Sequence, residues 1–177
     1  DGTFQNSLFD TCWWGMSSIE LGDFNNDLKL DVVAVGTATN ILSGNNTGHF
    51  TLLGSLNTGF LGGGDYSSAQ GDFNHDNNLD LIVTFNNADS FAVLLGNGDF
   101  TFDAPVKYYA GDLPMETIAS DMNNDGNLDL LIANDQGNDV RIFVGNANGT
   151  FQTGVSHATG ASPRTVVAAD FNKDGFK

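Results

Sequence analysis

Asp23, Asn25, Asp27 and Asp31 stand at the first, third, fifth and ninth positions of a short acidic segment. The pattern returns at Asp72, Asn74, Asp76 and Asp80 and again at Asp121, Asn123, Asp125 and Asp129, and a fourth copy begins with Asp170, Asn172 and Asp174. Alternating positions of a tight loop turn their oxygens towards one centre, and a carboxylate at the ninth position closes the cage, giving the hard oxygen surroundings that calcium prefers. Zinc would ask for Cys or His. An EF-hand would place a glutamate at the twelfth position, where this chain has Ala34, Val83 and Ile132 inside apolar runs. The sixth position, often glycine for a sharp turn, is Leu28, Asn77, Gly126 and Gly175 in the successive copies. The competing reading is an Asx-rich turn without metal, which explains one copy more readily than four.

The first aspartates of the copies are 49 residues apart each time. A fixed period of this size marks a repeat architecture whose units bury their cores against their neighbours. Each motif follows a small, partly apolar stretch, such as Ser18–Gly22 or Ser67–Gly71, and precedes a β-branched run, such as Leu30–Val35, Leu79–Val83 and Leu128–Ala133. Short apolar runs bounded by turn signals predict strands buried on both faces. A third strand follows at Ile41–Leu42, Phe91–Leu95 and Val140–Val144, then a Gly/Asn-rich hairpin, then a fourth strand carrying Phe50, Phe100 or Phe102, and Phe151. The predicted fold is all-β, with four-stranded antiparallel units of the kind found in β-propeller blades. The boundaries run 1–15 for the end of a preceding blade, with an orphan fourth strand at about 3 to 9, and its connection, 16–64, 65–113 and 114–162 for three blades, and 163–177 for the start of a fourth, with an orphan first strand at about 164 to 170.

The net charge of −16 comes from 22 acidic and 6 basic residues, and all the acids except Glu20 and Glu116 are aspartate. Aspartate fits tight oxygen-ligand loops, so the excess reads as ligand, and three bound divalent ions would reduce the charge to about −10. Six scattered cations cannot follow a phosphate backbone, which excludes a nucleic-acid partner. No apolar run has the roughly 18 residues of a membrane span, so no membrane insertion is expected. Cys12 stands alone, excluding an internal disulfide framework, and reads as an inert thiol. Catalysis finds no support: His49, His75 and His157 are isolated, and the two glutamates lie in equivalent strands without forming an acid/base pair.

The run Gly22-Asp23-Phe24-Asn25, its apolar strand, and the later Gly145-Asn146-Ala147-Asn148-Gly149-Thr150-Phe151 resemble the FG-GAP/VCBS repeat of integrin α-subunit propellers and many secreted proteins. The resemblance covers essentially the whole chain. It implies a calcium ion in the loop between the first and second strands of each blade. The backbone carbonyls of Lys29, Asn78 and Asn127 would join the three complete side-chain sets, and the fourth loop would hold Asp170, Asn172 and Asp174. The function it implies is an adhesion or recognition scaffold, secreted or at the cell surface. A carbohydrate-binding propeller and a component of an extracellular filament are the alternatives. Further blades of the same chain or neighbouring copies are expected to cover the open faces.

The repeats differ most in their connections between blades. Trp13 and Trp14, Tyr66, and Tyr108 with Tyr109 could meet a protein or carbohydrate ligand there, or could simply fill the gap between blades. Asn45 and Asn148 each open an N-glycosylation sequon in a hairpin turn.

Overall fold

The computed structural model of the chain describes residues 15–59, 64–175 and 177. The expected orphan strand near residues 3 to 9, with Cys12, Trp13 and Trp14, lies outside them. Three antiparallel sheets follow one another, each a simple meander of four strands. The first holds β1 (Met16–Gly22), β2 (Asp31–Gly36), β3 (Asn40–Gly44) and β4 (Phe50–Ser55); the second holds β5 (Asp65–Gly71), β6 (Asp80–Phe85), β7 (Ser90–Leu94) and β8 (Val106–Tyr109). The third holds β9 (Pro114–Ser120), β10 (Asp129–Asn134), β11 (Asp139–Phe143) and β12 (Val155–Ala158).

The sheets stack face to face because their middle strands are apolar on both sides. Every residue of β6 and β10 is buried. In β6, Leu81 and Val83 point into the cluster shared with the first sheet, together with Phe24, Val33 and Leu94. Ile82 points the other way, to Phe73, Phe91, Leu130, Phe143 and Phe151. Strand alternation thus splits one sequence run between two cores. Each core has the same aromatic join: the motif phenylalanine of one blade meets the fourth-strand phenylalanine of the next, Phe24 with Phe102 at 6.3 Å and Phe73 with Phe151 at 5.6 Å between ring centres. Such pairs contribute about 1 kcal/mol beyond the area they bury. The blades also need close approach at the motif's edge. A Cβ on Gly22 would fall 2.3 Å from Leu79 Cδ1, and one on Gly71 would fall 2.4 Å from Leu128 Cδ1.

The first strands of successive sheets lie side by side in a polar seam. The Ser68 hydroxyl hydrogen-bonds Ser18 Oγ and donates to Glu20 Oε1, both at 2.8 Å, and the Thr117 amide donates to Ser67 Oγ at 3.2 Å. Burial pushes the Glu20 carboxyl above its ordinary value of 4.5, with the Ser68 hydrogen bond opposing. Because the folded-state value is the raised one, stability from this group is fully present below the unfolded-state value and is lost as pH rises through the folded-state one. Glu20→Gln is therefore expected to raise the melting temperature near neutral pH and to leave it unchanged at about pH 4. An equal gain at both pH values would show that the charge is not the cause.

Two expectations change and one open choice closes. The fourth strand is split in the second and third blades: Phe102 and Phe151 make isolated bridges to Gly96 and Gly145, and the strand resumes only at Val106 and Val155. Pro105, which lacks an amide donor, closes the gap in one blade, and Gly154, packed on the Phe143 ring, closes it in the other. Of the two phenylalanines left open by the sequence, Phe102 is the counterpart of Phe50 and Phe151. Phe100 occupies the preceding left-handed position, φ 68°, where the other hairpins have Gly48 and Gly149. Finally, residues 164–170 form no strand ladder, and their main polar tie to β9 is the Val166 amide on Glu116 Oε2 at 2.7 Å.

Candidate metal centres

The first three acidic motifs form the hairpins between the first and second strands of their blades, and the fourth copy, which no strand ladder flanks, folds into the same turn. Positions four and six are left-handed throughout: Asn26 and Leu28 at φ 59° and 63°, His75 and Asn77 at 62° and 68°, Asn124 and Gly126 at 60° and 88°, Lys173 and Gly175 at 61° and 93°. The acidic side chains explain this backbone. The first aspartate accepts the amide of position five at 3.0 to 3.2 Å in the four loops. Its other oxygen accepts the amide of position six at 2.7 to 3.0 Å. The position-three asparagine also accepts the amide of position five. In the three complete loops the position-five aspartate accepts the amide of position seven, at 2.8 to 2.9 Å. These overlapping Asx turns let Leu28, 91% exposed, take a conformation that costs a branched residue about 1 to 2 kcal/mol.

The ninth-position aspartate does something its residue type does not announce. Asp31, Asp80 and Asp129 are completely buried at the start of β2, β6 and β10. One oxygen of each accepts the amide of the motif's second residue, Phe24, Phe73 or Met122, at 2.8 to 3.0 Å. The other accepts the amide of the glycine that opens the next hairpin, Gly44, Gly96 or Gly145, at 2.8 to 3.0 Å. This carboxylate ties the loop to the third strand of its own blade. Residue type and spacing give it only as a ligand. A lone aspartate heading an apolar strand, three times over, was the signal.

Electrostatics separates the loops. Burial pushes the Asp80 carboxyl up to about 6; the Gly96 and Phe73 amides oppose this, and repulsion from Asp76 and Asp72 adds to it. In the first loop the Lys29 ammonium sits 2.7 Å from Asp27 Oδ2, holding that carboxyl below its ordinary value and the lysine above its own. In the other loops the same oxygen is taken by the position-three asparagine amide, at 2.8 to 2.9 Å. The Asn127 amide holds Asp125 low, and the Gly175 amide does the same for Asp170.

Among the described residues no three His, Cys, Asp or Glu side chains converge as a metal cluster. The donor chemistry nonetheless fits a hard cation. Every side-chain donor offered at positions one, three, five and nine is an Asp or Asn oxygen. An ionised carboxylate has about four acceptor sites, and the loop amides fill only some of them.

The remaining predicted site residues are dispersed. Tyr66 lies in β5, and Tyr108 and Tyr109 lie in the outer strand β8, not in connecting loops. Tyr108 stacks on Phe91 at 4.9 Å, and Tyr109 carries the Arg141 guanidinium 4.8 Å from its ring centre. With Phe143, Gln152 and Thr153 they line a cleft of about 230 Å3 between the second and third blades. Asn45 and Asn148 are exposed, each accepting the hydroxyl of its own sequon threonine, at 2.7 and 2.6 Å. His49, His75 and His157 are exposed and far apart in sequence.

A meander repeat of stacked four-stranded blades, each with one acidic hairpin, is a propeller-type array. The FG-GAP-like repeat model matches residues 23–83, 72–132 and 121–177, and the chain belongs to that family. Among solved structures, the chain is similar to a chain of the Tc holotoxin pore of Photorhabdus luminescens, at 17% identity and a TM-score of 0.38. That match covers 89% of this chain and 7% of the toxin chain. No curated protein matches.

Proposed function

We propose that the chain is a calcium-loaded repeat scaffold of a secreted or cell-surface protein, working in adhesion or recognition rather than catalysis. The supporting observation is the fourfold loop of identical backbone, whose donors are all Asp and Asn oxygens. A bound cation would relieve the carboxylate repulsion felt at Asp80. Asp23, Asn25, Asp27 and Asp31, with their counterparts at 72, 74, 76 and 80 and at 121, 123, 125 and 129, would hold the ions, helped by the carbonyls of Lys29, Asn78 and Asn127. The ion supplies charge neutralisation and cross-linking of the loop. The chain's own residues keep the loop in shape through its Asx turns. Ile19, Leu21 and Leu30 on one side and Val167 and Phe171 on the other are exposed, and further blades or neighbouring copies would cover them.

Calorimetric titration of the metal-free chain with calcium tests the reading. Two sites with Kd of about 0.1 to 1 mM are expected at the second and third loops. A weaker site is expected at the first, where Lys29 competes for Asp27. Absence of saturable uptake would sink the reading. A second reading, carbohydrate binding, is favoured by the Tyr108, Tyr109 and Arg141 cleft, whose ring faces and polar rim suit a sugar. Retention on immobilised glycans separates it from a protein partner.

A further inference from the structure

The fourth residue of each of the first three acidic loops contributes nothing to its own oxygen set, yet its side chain reaches the next loop. Asn26 Nδ2 donates to Asn78 Oδ1 at 2.8 Å, and the His75 Nε2–H donates to Asn127 Oδ1 at 2.9 Å. Asn124 Nδ2 donates to the Gly175 carbonyl at 2.7 Å. In the first two contacts the acceptor is the seventh residue of the following loop, seated between its second and third aspartates. The first contact is roofed by backbone. A Cβ on Gly98 would fall 2.3 Å from Asn26 Nδ2 and 2.4 Å from Asn78 Oδ1. Beneath these side chains the following blade's hairpin also grips the preceding loop, through the Phe100 amide on the Phe24 carbonyl at 3.2 Å and the Gly149 amide on the Phe73 carbonyl at 2.9 Å. Successive loops are therefore joined by a repeated side-chain link and a repeated backbone link.

We propose that the fourth-position side chains are positioning residues that couple neighbouring cation sites, so that the loops fill with positive cooperativity. The proposal rests on the calcium reading above. An ion in one loop orders the fourth residue and presents a fixed donor; an ion in the next loop orders the seventh residue and presents a fixed acceptor. Whichever ion binds second meets a partner already ordered and loses less freedom on binding. The coupling is reciprocal, since each site must affect the other by the same factor. One exposed hydrogen bond sets its size at about threefold in affinity.

The experiment titrates calcium into the intact chain and its His75→Ala and His75→Asn variants by calorimetry, with melting curves in calcium and in chelator alongside. His75→Ala is expected to weaken uptake about threefold and flatten the binding curve. His75→Asn is expected to restore both, because asparagine holds this position in the first and third loops. In the melting series the alanine variant should lose more stability in calcium than in chelator. Wild-type uptake left unchanged by His75→Ala would overturn the coupling alone. An equal loss of melting temperature in calcium and in chelator would do so too, making the contact one of packing only. A wild-type chain that takes up no calcium would overturn the coupling and the calcium reading together.

Discussion

Asp129→Ala is expected to lower the melting temperature by about 10 °C, in chelator as well as in calcium. Asp129 is fully buried and holds two backbone amides, Met122 and Gly145, each at 3.0 Å. Removing it leaves the Gly145 amide buried without an acceptor and the Met122 amide, at a partly buried position, without its carboxylate partner. Each unsatisfied buried donor costs about 1 to 3 kcal/mol, so the pair costs roughly 4 kcal/mol. For a chain of this size about 2 to 4 °C of melting temperature is lost per kcal/mol. Asp129→Asn keeps one acceptor and turns an amide group towards the other donor, so its loss should fall between wild type and alanine. The two solvents separate the roles of the residue. A clamp acts whether or not an ion is present, whereas a carboxylate that worked only as a ligand would show its loss in calcium alone. Asp129→Ala melting like wild type in chelator would remove the clamp from the account.

The blade order was legible because one physical constraint repeats: an apolar run buried on both faces, such as Leu81–Ile82–Val83, can only be a middle strand between two sheets. The acidic loops were legible for the same reason, since four copies leave little room for chance. What was hidden depends on contacts between units. Ligand and clamp ask for the same carboxylate, so nothing in residue type shows that both oxygens of Asp31, Asp80 and Asp129 are already bonded to amides. The links from Asn26 to Asn78 and from His75 to Asn127 join residues 52 apart, and they exist only once the blades have stacked. The choice between Phe100 and Phe102 stays open in the sequence because either phenylalanine reads as strand, while Phe100 fills a left-handed turn position that its counterparts give to glycine. Tyr108 and Tyr109 read as a connection because the fourth strand's break after Phe102 displaces its paired segment towards the outer edge.

Removal of calcium is expected to lower the melting temperature of the intact chain by on the order of 10 °C. The reasoning is mass action: an ion that binds the folded loop and not the unfolded chain stabilises by RT ln(1 + [L]/Kd). At a tenfold excess over Kd a site supplies about 1.4 kcal/mol, so the second and third loops supply roughly 3 kcal/mol and the weaker first loop adds less, a large share of the 5 to 15 kcal/mol typical of a whole domain. The effect should grow with calcium concentration and not saturate sharply, since the same expression rises logarithmically. Magnesium should substitute poorly, because it demands a near-octahedral shell and gives up its waters reluctantly. The loops should retain their turns without the ion, for their amides are already satisfied by Asp23, Asp72, Asp121 and Asp170. Chelation should therefore destabilise without abolishing the fold, leaving far-ultraviolet circular dichroism unchanged below the transition. A melting temperature that moves by less than about 1 °C between calcium and chelator would show that the loops hold themselves without a cation. The carboxylates would then be turn-formers alone.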